Sequence, residues 1–168
     1  NPNREHNLTT EQIEKEFEQL LGTQKCIWLE NGLENDHTDG HIDTIVRFVS
    51  ANKILCSYCD DKSDLNHTTM KKNLNILKNA TNLQEQKFEI ELLPLPQNKM
   101  FRDNERLACT YANFYIGNGF VIIPIYDDPN DKKAVQIIQK CFPNRKVISL
   151  MSKFIIHGGG SFHCLTQQ

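Results

Sequence analysis

A strand–strand–helix–strand pattern runs through this chain twice and limits the fold more than any other feature. In the first copy, residues 43–50 (DTIVRFVS) and 53–58 (KILCSY) are rich in β-branched and aromatic residues. Ala51-Asn52 joins them, which predicts a hairpin. Ser63-Asp64 then starts a helix with Met70, Leu74 and Leu77 on one face, and residues 88–93 form a strand that stops at Pro94-Leu95-Pro96. In the second copy, residues 110–116 and 120–125 flank Gly117-Asn118-Gly119 as another hairpin. Asp128-Pro129 opens a helix with Ala134, Ile137, Ile138 and Cys141 at i, i+3, i+4 and i+7. Pro143 ends it and residues 146–150 make a strand. The two copies are offset by roughly 60–67 residues, a spacing suited to a supersecondary repeat.

Before the first copy, Thr9 and Gln12 form a capping box, and Ile13, Phe17, Leu20 and Leu21 mark one face of a helix that Gly22 closes. Cys26-Ile27-Trp28-Leu29 is expected to be a short buried strand, and residues 31–40 (NGLENDHTDG) a polar, turn-rich loop. After the second copy comes a glycine turn where a further hairpin would start. The chain therefore reads as about two and a half ββαβ units with helices on the outside of an α/β assembly. It lacks an initiator Met and begins in what reads as a loop. Both ends are expected to be cut from a longer protein.

Composition narrows the function. With 168 residues the chain is long enough for one domain with a substantial core. Nineteen basic residues against 21 acidic ones give a net charge of −2. The basic residues are scattered, so no nucleic-acid partner is expected. No apolar run approaches the roughly 18 residues of a membrane span, and the polar opening stretch is not expected to be a signal peptide. The six cysteines fall mostly in apolar runs, which suits free thiols in a reducing, cytoplasmic setting.

Two stretches carry candidate chemistry. The first is the tail from His157, with Gly158, Gly159 and Gly160 in a row and Cys164 behind His163. A glycine-rich turn holding a cysteine at the start of a strand is a good mount for a nucleophile and offers backbone N–H groups. The second is Thr38-Asp39-Gly40-His41-Ile42-Asp43. On an extended segment His41 and Asp43 would point to one face. Equivalent ends of the repeats would bring both to Cys164 at one mouth. Cys164 with His41 is then a nucleophile–base pair, and a nearby imidazolium would lower the thiol pKa. A buried structural cysteine is the plain alternative, as for Cys26 or Cys141. An Asp43 carboxylate buried at a strand start would need a cation, which hints at a positively charged ligand. Asp36 and Asp39 are most simply turn residues.

Other signals are weaker. Cys56-Ser57-Tyr58-Cys59 could be half a zinc site with His67, but a second pair is missing. Arg102-Asp103-Asn104-Glu105-Arg106 reads as a charged loop, solvated or rimming a site. Tyr111, Asn113 and Tyr115 alternate with Ala112 and Phe114. Asn113 then either faces a pocket or sits hydrogen-bonded in the core.

Taken together, Thr38–Asp43 followed by Arg47-Phe48-Val49, then Tyr111-Ala112-Asn113-Phe114-Tyr115 with Pro124, and Gly158-Gly159-Gly160-Ser161-Phe162-His163-Cys164-Leu165-Thr166-Gln167-Gln168 resemble the agmatine deiminase and bacterial-type peptidylarginine deiminase family of the pentein, or guanidine-modifying, superfamily. The opening Asn1-Pro2-Asn3-Arg4 looks like that family's mid-chain link. The resemblance implies an α+β, pentein-like α/β propeller of five ββαβ repeats, of which about two and a half are here. It makes this chain the C-terminal part of a single catalytic domain. It implies that Cys164 attacks a guanidinium carbon to give a covalent amidino-cysteine, that His41 moves protons, and that Asp43 binds guanidinium nitrogens. It implies no metal or organic cofactor.

The expected substrate is agmatine, converted to N-carbamoylputrescine and ammonia. Arginine or peptidylarginine, giving citrulline, is the close variant. Gly159 and Asn113 are candidate substrate contacts, and Asp36 or Glu34 could attract the far amine of agmatine. The expected partners are this small cation, the missing N-terminal half and, in a homo-oligomer, further copies of the chain.

The sequence also departs from the family. Its other guanidinium-binding Asp, in a Trp-x-Arg-Asp type motif, and its Glu lie in the N-terminal half. Here Trp28 is followed by Leu29-Glu30-Asn31. The chain alone is therefore expected to be inactive. A reading from another class is a non-catalytic binding or assembly module.

Overall fold

The computed structural model describes residues 8–167. The resemblance quoted on residues 1–4 and on Gln168 lies outside the described residues. Helix α1 (Thr10–Leu21) begins as its sequence dictates. The Thr9 hydroxyl accepts the Gln12 N–H at 3.3 Å while the Gln12 side chain accepts the Thr9 N–H at 2.7 Å. Gly22 ends it in the left-handed region at φ 68°. No residue of α1 is buried, and Leu20 is 75% exposed.

The first repeat is built of β1 (Val46–Phe48), β2 (Lys53–Tyr58), α2 (Asn66–Asn79) and β3 (Glu89–Pro94). β1 and β2 pair antiparallel, with Arg47 opposite Leu55, and β2 and β3 run parallel, with Ile54 opposite Ile90. A short hairpin follows, β4 (Phe101–Arg102) and β5 (Glu105–Arg106). Asp103 and Asn104 form its turn at φ 52° and 67°, a left-handed pair that Asp and Asn tolerate. The second repeat copies the first: β6 (Tyr115–Ile116), β7 (Phe120–Ile125), α3 (Asp131–Cys141) and β8 (Lys146–Met151), with an antiparallel then a parallel pairing. Pro124 sits in the central strand β7, where it donates no ladder bond. It is tolerated because β6 pairs only as far as Ile122.

Each repeat has its own core. Ile45, Ile54, Met70, Leu74 and Leu77 close the first. Phe114, Val121, Ile123, Ala134 and Ile138 close the second, together with Leu55 and Leu93 from the first sheet. Polar groups then lock the repeats together. The Arg47 guanidinium, buried over the Phe114 ring at 4.4 Å, donates to the Ala112 and Phe114 carbonyls at 3.0 and 2.7 Å. The Thr44 carbonyl accepts from Ser57 Oγ at 3.1 Å and Thr110 Oγ1 at 2.9 Å. No helix among the described residues is long and apolar enough to cross a membrane.

Four expectations are corrected. Residues 26–29 join no strand. Instead, the Asn73 side chain of α2 holds the segment just beyond, accepting the Glu30 N–H and donating to the Asn31 carbonyl, both at 2.9 Å. The extended segment expected from residue 43 begins only at Val46. Ile42–Thr44 is a turn of 3-10 helix, wound by Ile45 N–H onto Ile42 O and by Thr44 Oγ1 onto the His41 carbonyl. Residues 110–114 are buried but not a strand, because the Ala112, Asn113 and Phe114 carbonyls are taken by Arg47 and by the His163 N–H. The charged stretch 102–106 is the β4–β5 hairpin.

Candidate active site

The two stretches singled out in the sequence meet. Residues 155–158 form a 3-10 turn, Gly159 reverses the chain at φ 94°, and residues 162–165 turn again to present Cys164. Cys164 therefore sits in a turn, not at a strand start. A Cβ on Gly160 would fall 2.6 Å from Cys164 Sγ, so only glycine leaves the thiol its room there. Gly159 lies on the rim, where a Cβ would meet His37 at 3.5 Å.

Thr38, His41, Asp43, Gly159, His163 and Cys164 line one open cleft of about 400 Å³. His41 is exposed and makes no side-chain hydrogen bond among the described residues. Asp43, not His41, is the direct neighbour of the thiol, with Cys164 Sγ donating to Asp43 Oδ2 at 3.3 Å. His41 and Asp43 do not share an extended segment, since Asp43 sits on the 3-10 turn and His41 is the extended residue that precedes it, yet both still reach the cleft. Arg102 joins the two loops at the rim: Nη1 donates to the His157 carbonyl at 2.5 Å and Nη2 lies 3.2 Å from His37 Nδ1.

Asn113 is only 1% exposed and is not part of the cleft lining. Its amide donates to Asp43 Oδ2 at 2.8 Å and Cys164 Sγ at 3.1 Å, and its carbonyl accepts from Ser161 N at 2.9 Å and Cys164 N at 3.3 Å. It is thus spent on holding the site together. Asp36 is spent on its own loop, accepting from Thr38 N at 2.9 Å and Thr38 Oγ1 at 2.6 Å. Glu34 and Asp36 line a separate depression.

Sequence reasoning passed over one residue. His163 Nδ1 lies 2.6 Å from Asp43 Oδ2. Its place directly before Cys164 was the available signal, but on a strand, where Cys164 was expected, neighbours face apart. Asp43 is a carboxylate here. Burial alone would push its carboxyl up, but the hydrogen bonds from His163 and Cys164 and the charges of His163 and His41 outweigh that and hold it below its ordinary value. The thiol goes the other way: burial and the Asp43 charge push Cys164 above its ordinary value, although the Asn113 amide pulls it down. The expected lowering by an imidazolium is therefore corrected, because the nearest charge is a carboxylate. Cys164 is exposed, whereas Cys56 and Cys109 are pushed up to about 12 by burial. His67 Nδ1 lies 2.8 Å from the Cys59 carbonyl, so it is engaged away from the Cys56 thiol.

Known proteins share this fold. An agmatine deiminase of Enterococcus faecalis superposes with a TM-score of 0.92 at 26% identity, over 96% of this chain and 48% of that one. A cysteine-to-serine agmatine deiminase of C. jejuni with substrate bound superposes at 0.83 and 33% identity, over 93% and 45%. Agmatine deiminase of Pseudomonas syringae pv. tomato is 37% identical over 100% of this chain and 50% of its own length. The repeats and the cysteine cleft define a pentein-type fold. The family model for Porphyromonas-type peptidyl-arginine deiminases matches residues 1–168, and the chain belongs to that family. It spans about half the length of the curated relatives it matches.

Proposed function

We propose that this chain is the C-terminal half of a guanidine-hydrolysing catalytic domain, and that the whole domain converts agmatine and water to N-carbamoylputrescine and ammonia. The observation that carries the reading is the contact between Asp43 and Cys164 in an open cleft. A buried carboxylate beside an exposed thiol, with its second oxygen lacking any hydrogen-bond donor among the described residues, suits a cation that has an electrophilic carbon. A guanidinium meets both demands. The names of the relatives support agmatine as the particular guanidine.

In this mechanism Asp43 accepts N–H from the guanidinium and seats its carbon against Cys164 Sγ. The cation offsets the carboxylate charge that holds the thiol up, so substrate binding itself favours the thiolate. The thiolate adds to the carbon, and the C–N bond to one terminal nitrogen breaks as His41 gives that nitrogen a proton. The intermediate is an amidino-cysteine. His41 then takes a proton from water, the hydroxyl adds to the same carbon, and the C–S bond breaks as that hydroxyl loses its proton to solvent, releasing the ureido product and the thiolate. His41 suits this work because its ring is exposed and uncommitted, whereas the His163 ring is tied to Asp43.

The test is ammonia release by a protein of the relatives' full length, with agmatine, free arginine and an arginine peptide side by side. Release from agmatine, abolished in Cys164→Ala, is expected. Release from arginine alone would keep the mechanism and change the substrate. Release that survives Cys164→Ala would overturn the reading.

A further inference from the structure

Asp43 makes all of its hydrogen bonds through one oxygen. Oδ2 accepts from His163 Nδ1 at 2.6 Å, from Asn113 Nδ2 at 2.8 Å and from Cys164 Sγ at 3.3 Å. Oδ1 is buried and has no hydrogen-bond partner among the described residues. A carboxylate free to turn would share its donors between both oxygens, because an unmet buried acceptor is costly. Its orientation is therefore imposed from outside. The 3-10 turn that carries Asp43 does not impose it, since that turn makes its bonds through backbone and Thr44. Arg47 does not either, because its hydrogen bonds go to the Ala112 and Phe114 carbonyls.

The constraint comes from His163 and Asn113. The His163 N–H is fixed on the Asn113 carbonyl at 3.1 Å, and the Asn113 side chain is fixed on Ser161 N and Cys164 N. Since Asp43 is ionised and can only accept, the Nδ1 of His163 must carry a proton.

We propose that His163 is a positioning residue: with Asn113 as its anchor, it grips Asp43 by Oδ2 alone and so holds the carboxylate against the Cys164 thiol in the orientation that receives the cation. The proposal rests on the guanidine reading for its kinetic consequence only. It divides the two imidazoles of the cleft, His41 being uncommitted and His163 pinned.

The test uses the protein of the relatives' length with His163→Leu, which removes the donor, and His163→Asn, whose amide nitrogen can take the place of Nδ1. Circular dichroism checks that both fold. The leucine variant is expected to raise KM for agmatine by about tenfold to a hundredfold with a smaller fall in kcat, as for loss of a charge-assisted hydrogen bond. The asparagine variant is expected to recover most of that loss. A merely structural role for the ring would not give recovery by a side chain of different shape.

A second readout needs no turnover. Once the carboxylate can swing away from Sγ, Cys164 should be alkylated by iodoacetamide at neutral pH about threefold faster or more in His163→Leu than in wild type. An unchanged alkylation rate in folded His163→Leu, or an asparagine variant no better than leucine, would overturn the proposal. If His163→Leu does not fold, His163→Asn alone decides: a KM within about fivefold of wild type supports the clamp, and a larger rise removes it. Failure of wild type to release ammonia would sink the guanidine reading and leave the alkylation comparison to judge the clamp.

Discussion

At the scale of single residues, the site has a thiol that is open to solvent yet held as a thiol. Partial burial disfavours a negative charge at Sγ, and the Asp43 carboxylate adds to that. On the proposed reading, Cys164 would thus stay unreactive until a cation offsets the carboxylate. The reactive thiolate fraction should climb tenfold per pH unit below the thiol pKa, and that pKa lies above the ordinary value of about 8.5. Alkylation of Cys164 by iodoacetamide is therefore expected still to be rising at about pH 9, with Cys56 and Cys109 unreactive throughout. A plateau below about pH 8 would show the opposite shift. Cys164, His41 and Asp43 were legible in the sequence because glycines and turn residues around them mark special backbone. The sign of the thiol shift was not, because it depends on which side chain comes nearest, and that is set by a turn no periodicity announces. Asn113 was legible only as a pair of alternatives, and burial decides between them.

Among the elements, the hairpins and helices were easy to read. β-branched runs broken by Ala51-Asn52 and Gly117-Asn118-Gly119 became hairpins, and Met70, Leu74 and Leu77 line the buried face of α2. Residues 110–114 look like a strand in sequence and are not one, since nothing local says that their carbonyls will be taken by a side chain from another repeat. That side chain is Arg47, and it does more than fill space. It fixes β1 onto the segment carrying Asn113, and Asp43 lies one short turn upstream. Replacing Arg47 with Met keeps the apolar stem but leaves two buried carbonyls without donors. The expected cost is about 2–4 kcal/mol, read as a lower urea midpoint with an unchanged slope. A loss under about 0.5 kcal/mol would mean that other donors replace the guanidinium.

On the scale of the whole molecule, apolar surface is left open at both ends. The face of α1 with Leu20 and Leu21 is uncovered, and beyond β8 Phe154 is 88% exposed. A repeat cannot bury its hydrophobic faces alone, and neighbouring repeats are what cover them. The relatives are about twice as long, and on the proposed reading the half that this chain does not span is what would cover these faces. Chemistry points the same way. Asp43 is the one carboxylate in contact with the thiol among the described residues, whereas a planar guanidinium offers donors on several edges. Further acceptors for those donors are expected from the other half. The 168-residue chain by itself should accordingly turn over agmatine at least about a thousandfold more slowly than the protein of the relatives' length, because groups that grip one transition state act as a unit and half of them achieve little. Mixing the chain with a separately made N-terminal half should restore part of the rate, in proportion to complex formed. Turnover by the chain alone within about tenfold of the longer protein would mean that Cys164, His41 and Asp43 suffice, and that the cleft is already whole.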